Sequence, residues 1–145
     1  MNIRILWVGK TKERFVKDAI ERYSKQAAHF CTMELIEIKD ERGTDLPRIQ
    51  EMEGKRILKA TSDFVLLHNE GKEFTSIQFA GLLEKKSSWD FVVGGPYGVS
   101  DEVRQSARTL LSLSKMTFPH DLVRIMLLEQ IYRALTIHQK RGYHH

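Results

Sequence analysis

A few side chains near the carboxyl end are of the kinds that move protons or hold anions. His120, Asp121 and Arg124 follow Pro119 directly, and Tyr143 and His144 stand in the last residues of the chain. On a helix, His120, Asp121 and Arg124 fall within an arc of roughly 100°. A histidine beside a carboxylate and a guanidinium can take up a proton while the cation steadies developing negative charge. The same three residues would also serve as a helix cap with solvated charges, and both readings stand on this pattern.

Other chemistries lack their residues. Val8-Gly9-Lys10-Thr11 invites a phosphate loop, but Arg4 occupies the place of its first glycine. Ser112 and Ser114 lie in no nucleophile elbow. No spacing of histidines, cysteines or carboxylates fits a metal site, and His144-His145 reads as a terminal pair. His29 and His68 read as a surface and a strand-end histidine. Gly94-Gly95-Pro96-Tyr97-Gly98 is either a tight turn or a place where backbone comes close to a ligand.

The elements that would position these residues alternate. Asn2–Val8 is a short apolar run that ends at Gly9: a strand. Glu13–His29 repeats apolar residues at helical spacing. Met33–Ile38 is a second strand, Leu46–Ala60 a helix with Ile49, Met52, Ile57 and Leu58 inward, and Asp63–His68 a third strand. Asn69 to Lys72 is expected to turn the chain. Thr75 and Gln78 form a capping box that opens a helix over Ser76–Lys86. Trp89–Val93 is a fourth strand, Ser100 caps a fourth helix, and Thr109–Ser114 is a fifth strand. The last helix runs from His120 to about Ile137. It is apolar nearly all round, so it is expected to pack on its own sheet and on a partner subunit. Glu129 and Arg133 form an i,i+4 pair on it.

Alternating strands and helices give an α/β domain with a mainly parallel sheet of five to six strands and helices on both faces. Ligands of such sheets sit beyond the strands' carboxyl ends. Three ends then matter together: Leu67-His68-Asn69, Gly94 to Gly98, and Ser114 to Phe118. The 145 residues make one domain, 1–145, with 41% hydrophobic and 29% charged residues. The single cysteine, Cys31, excludes an internal disulfide and suits a reducing cytoplasm. Charged Lys10, Lys12 and Glu13 follow the first strand, so no signal-peptide pattern is expected. The net charge of +4 is compatible with an RNA partner without requiring one. Arg4 to Lys25 holds seven basic against three acidic residues: a solvated helix face, or a phosphate-contacting patch.

Four segments together closely resemble one family. They are Phe91 to Gly98, Leu111 to His120, Leu128 to Ala134, and Tyr143-His144. The sequence is similar along its whole length to the RlmH family, bacterial large-subunit rRNA methyltransferases of the SPOUT class. The resemblance implies a C-terminal trefoil knot whose crevice holds S-adenosylmethionine in a bent form. It implies a cytoplasmic homodimer with its active site at the subunit interface, and no membrane or DNA partner. The reaction implied is methylation of N3 of pseudouridine 1915 in helix 69 of 23S rRNA, within the assembled 70S ribosome. Carried over, cofactor contacts fall on Leu67, Gly94, Gly95 and the run Leu113, Ser114, Lys115, Met116, Thr117 and Phe118. His120, Arg124, Tyr143 and His144 match its active-site and tail positions. The tail departs from the family pattern: Gly142 stands for a proline, and His145 for a permanently charged base. A non-catalytic RNA-binding or assembly protein of the same fold is the alternative.

Overall fold

The computed structural model describes residues 1–140 and 142–145. Five strands are present among them: β1 (Asn2–Val8), β2 (Thr32–Ile38), β3 (Val65–Glu73), β4 (Ser88–Val93) and β5 (Thr109–Ser112). The helices are α1 (Arg14–Ala27), α2 (Leu46–Ala60), α3 (Ser76–Leu83), α4 (Asp101–Ser106) and α5 (His120–His138). The strands form one sheet in the order β2-β1-β4-β3-β5, and every pairing is parallel. Each crossover carries one helix, as parallel neighbours require.

Side chains alternate across the sheet, so each strand feeds two cores. Ile3, Ile5, Trp7, Val65, Phe91 and Val93 pack with α1, α3 and α5. Leu6, Val8, Leu66 and Val92 pack with Ile57 of α2 and Val103 of α4 on the other face. The expected helices on both faces are therefore present. Local chemistry sets the ends. Thr75 and Gln78 form the capping box of α3, Ser100 accepts from Val103 N to open α4, and Asp45 accepts from Arg48 N to open α2.

Besides shifts of one to three residues elsewhere, such as α3 ending at Leu83 and β3 starting at Val65, two boundaries that shape the cleft differ from the sequence reading. Asn69 to Lys72 does not simply reverse the chain. Instead β3 continues to Glu73 through a bulge, with Leu67 and Lys72 both paired to Leu111. Gly71 makes this possible. A Cβ there would stand 2.6 Å from the Leu110 carbonyl carbon and 2.8 Å from Leu111 N. Backbone cannot swing aside as a side chain can, so Gly71→Ala should part β3 from β5. The expected loss is about 1–3 kcal/mol, the usual range for overpacking, read as a lower urea midpoint; an unchanged midpoint would refute the packing account. β5 in turn stops at Ser112 rather than Ser114. The Ser112 hydroxyl donates to Ser114 O (2.8 Å), and Met116 N donates to Ser114 Oγ (3.0 Å). These local bonds replace the ladder and bend the chain into the loop before α5.

Among the described residues no helix is long and apolar enough to cross a membrane. The apolar surplus of α5 divides by face. Leu127, Leu128, Ile131, Ala134 and Leu135 are buried, whereas Leu122 is exposed and Ile125 and Met126 are half-buried.

Candidate active site

β4, β3 and β5 lie side by side, and a cleft of about 670 Å³ opens beyond the carboxyl ends of β4 and β5, at the bulge of β3. Its size is that of a small-molecule site. One wall is β3 at its bulge, with Leu67, His68 and Asn69. The second is Val93 with Gly94, Gly95 and Pro96 after β4. The third is the loop after β5, where Leu113, Ser114, Met116, Thr117 and Phe118 lead to Pro119 and His120. Lys115, of the same loop, is exposed and stands outside this lining.

The glycine wall has little room for side chains. A Cβ on Gly94 would meet Val99 Cγ1 at 2.8 Å, and one on Gly95 would meet Val8 Cγ1 at 3.2 Å. The turn is closed by Gly98 N donating to Gly95 O (3.1 Å), with Gly98 at φ +79°, a left-handed conformation that glycine adopts without strain. Bare backbone therefore faces the cleft on this side. Leu67, Val93 and Leu113 give it apolar surface elsewhere.

His120 opens α5 at the rim of the cleft. Its ring lies 3.4 Å from Asp121 Oδ1. Burial pushes its pKa below the ordinary histidine value; the Asp121 carboxylate opposes this and Arg124 adds to it. The net direction favours the neutral imidazole, which can accept a proton. Arg124 is placed otherwise than its exposed neighbours. Its side chain is 0% exposed and fills the space between α5 and the end of β1. It donates to Val8 O (2.6 Å), Gly9 O (3.3 Å) and Thr11 Oγ1 (2.8 Å), and lies over the Trp7 ring at 5.0 Å. Burial lowers its pKa, countered by Asp121 and Glu37. Its donors face backbone carbonyls, so in this conformation it positions the helix start and touches nothing in the cleft.

Tyr143 and His144 are not brought to His120 within the chain. Tyr143 Oη donates to Glu129 Oε1 (3.2 Å), and its ring meets Tyr132 at 4.7 Å and the Arg133 guanidinium at 4.8 Å. His144 Nδ1 lies 3.3 Å from Arg133 Nη1. Glu129 holds Arg133 through two bonds of 3.0 and 2.6 Å, as the i,i+4 spacing implied. At the helical rise of about 1.5 Å per residue, Arg133 is roughly 20 Å along α5 from His120. Beside Glu129 a second cavity, of about 430 Å³, lies between α1, α3 and α5 and shares Leu111 and Leu113 with the cleft.

His68 stands on the cleft wall, in the segment the sequence reading placed at the site. Its Nδ1 accepts from Glu70 N (3.1 Å), which fixes the ring at the cleft wall. The bulge between Leu67 and Lys72 that holds it left no signal in the sequence.

The chain matches the family described as "Predicted SPOUT methyltransferase" over residues 1–144. It belongs to the SPOUT methyltransferase family. This SPOUT chain is 44% identical to "Ribosomal RNA large subunit methyltransferase H" of Thermodesulfovibrio yellowstonii, over 98% of its own length and 97% of that relative's. It is 45% identical to the protein of the same name from Clostridium botulinum, and 40% identical to that from Clostridium acetobutylicum, over 99% of the chains in each case. These relatives carry the name of the family that the motifs resemble.

Proposed function

We propose that this SPOUT chain is an S-adenosylmethionine-dependent methyltransferase of 23S rRNA, acting on N3 of pseudouridine 1915 in helix 69 of the assembled 70S ribosome. The observation that carries the reading is its similarity, over 97% or more of both chains, to enzymes named for large-subunit rRNA methylation. The cleft suits the donor. Its volume, bare glycine backbone and apolar walls fit a flat purine with a flexible tail. Leu67, Gly94, Gly95 and the 113–118 loop would hold it, with Lys115 reaching its outer end. Bound there, S-adenosylmethionine supplies an electrophilic methyl group on a sulfonium.

The chain's own groups do the rest. N3 must lose a proton as it is methylated, and the neutral imidazole of His120, at the cleft rim, accepts it. Arg124 fixes the height of that imidazole through the end of β1. Tyr143 offers a ring on which a loop base can stack, and His144 a second polar contact to the RNA. Exposed Lys10, Lys12 and Arg14 after β1, and Lys115 after β5, stand on the same edge of the sheet and suit phosphates. The protein works in the cytoplasm as a homodimer, with the tail of one protomer completing the site of the other. Exposed Phe15 (62%) and Leu122, at the end where Arg124 reaches Thr11, fit an interface between copies. The family's trefoil knot belongs to the same reading.

The test is single-turnover methylation of ribosomes that lack the modification, with the methylated nucleotide mapped by mass spectrometry. His120→Ala should slow the step by about 10²–10⁴-fold, the usual contribution of a general base. The wild-type rate should fall as pH drops through the depressed histidine pKa, because the protonated ring cannot accept. If His120→Ala and His144→Ala both keep near wild-type rates, neither is the base.

A further inference from the structure

Helix α2 lies on the face of the sheet opposite α5, yet one side of it makes a bed for the glycine wall. Gln50, Glu53, Gly54 and Ile57 follow the i, i+3, i+4, i+7 pattern of a single helix face. Gln50 Nε2 donates to Tyr97 O at 2.7 Å, across the tip of the loop. A Cβ on Gly54 would stand 2.7 Å from Ser100 Oγ and 3.1 Å from Val103 Cγ2, so the helix touches the loop's far end. Glu53 lies between these contacts and is only 3% exposed.

Its two oxygens differ. Oε2 accepts from Glu41 N (3.0 Å), which ties α2 to the segment after β2. Oε1 is buried without a hydrogen-bond partner, 3.5 Å from where a Cβ on Gly95 would stand. A buried carboxylate oxygen without a donor is costly, and Ile49 and Ile57 on the same stripe show what the core would otherwise hold. Because Gly95 carries no side chain, nothing on that residue separates Oε1 from the loop backbone.

We infer that Glu53, with Gln50, is a positioning residue for the Gly94–Gly98 loop, fixing the glycine wall of the donor cleft from beneath. Neither side chain lines the cleft. Their action on the donor passes through the backbone of Gly95 and Tyr97. The inference rests on the donor-site reading above.

Calorimetric titration with S-adenosylhomocysteine, on the full-length wild type, Glu53→Gln and Gln50→Ala, tests it. An amide at position 53 keeps an acceptor for Glu41 N but cannot offer two acceptor oxygens. Glu53→Gln should therefore keep a near-native thermal midpoint while donor binding weakens by about tenfold, because the loop loses the acceptor oxygen beneath Gly95. The donor KM should rise in step, with kcat at saturating donor within about twofold of wild type. Gln50→Ala, at a half-exposed site, should weaken binding in the same direction and decides the matter if Glu53→Gln fails to fold. Wild-type affinity in folded Glu53→Gln and Gln50→Ala overturns the inference alone. No binding by the wild type overturns the donor-site reading, and the inference with it.

Discussion

Arg124→Met should lower the thermal midpoint by roughly 10 °C, the largest single-residue effect expected in this chain. Methionine matches the length of the side chain and is more easily buried. If the guanidinium merely endured burial, the exchange would be neutral or stabilising. Here the partners decide the sign. Val8 O, Gly9 O and Thr11 Oγ1 accept from Arg124. Two of them are backbone carbonyls that no compensating side-chain change can remove. Methionine leaves them without donors in a closed space, which costs about 3–5 kcal/mol. At about 2–4 °C per kcal/mol for a domain near this size, the shift follows. Arg124→Lys should not restore the loss, because one ammonium cannot span acceptors arranged for a planar fork. Differential scanning calorimetry of both variants checks this. A midpoint for Arg124→Met equal to wild type would mean that the carbonyls find water instead.

Mixed dimers should recover activity that neither parent has. In one chain the tail rests on Glu129 and Arg133, roughly 20 Å along α5 from His120. A protomer with His120→Ala and one with Tyr143→Ala and His144→Ala should each be impaired by about 100-fold or more as pure dimers. Mixed in equal amounts and refolded together, half of the dimers are hybrids, and each hybrid holds one intact composite site. Recovery of roughly a quarter of wild-type activity is then expected for a two-fold dimer. Activity no higher than the mean of the parents would show that the tail serves its own chain or none.

How far the sequence revealed these features depended on the physical signal each one left. Buried stretches such as Phe64 to Leu67, at the start of β3, announce themselves by unbroken apolar runs, and the caps at Thr75 and Ser100 by side chains that bond the backbone three residues on. The three strand ends that enclose the cleft could be listed from element order alone, because a parallel sheet sends all its carboxyl ends to one edge. What stayed hidden depends on contacts between distant segments. The β3 bulge needs Gly71 against Leu110, and nothing in Asn69-Glu70-Gly71-Lys72 distinguishes that from an ordinary turn. Arg124 reads as a site cation or a solvated cap charge, because arginine is seldom fully buried and its carbonyl partners lie at the other end of the chain. Glu53 left a fainter trace: a carboxylate four residues from Ile49 and from Ile57, on a stripe otherwise apolar.

The bonds of Arg124 join positions 113 to 116 residues apart, nearly the whole chain. During synthesis β1 emerges long before Arg124, and its terminal carbonyls wait for that donor. α5 also supplies Leu127, Leu128, Ile131, Ala134 and Leu135 to the core it shares with α1 and α3. Without that helix, this apolar surface of α1, α3 and the sheet is uncovered. Such distant closure is slow, because the loop entropy is lost before the contacts reward it. Until α5 docks, this core stays open, and an incomplete chain is exposed to aggregation.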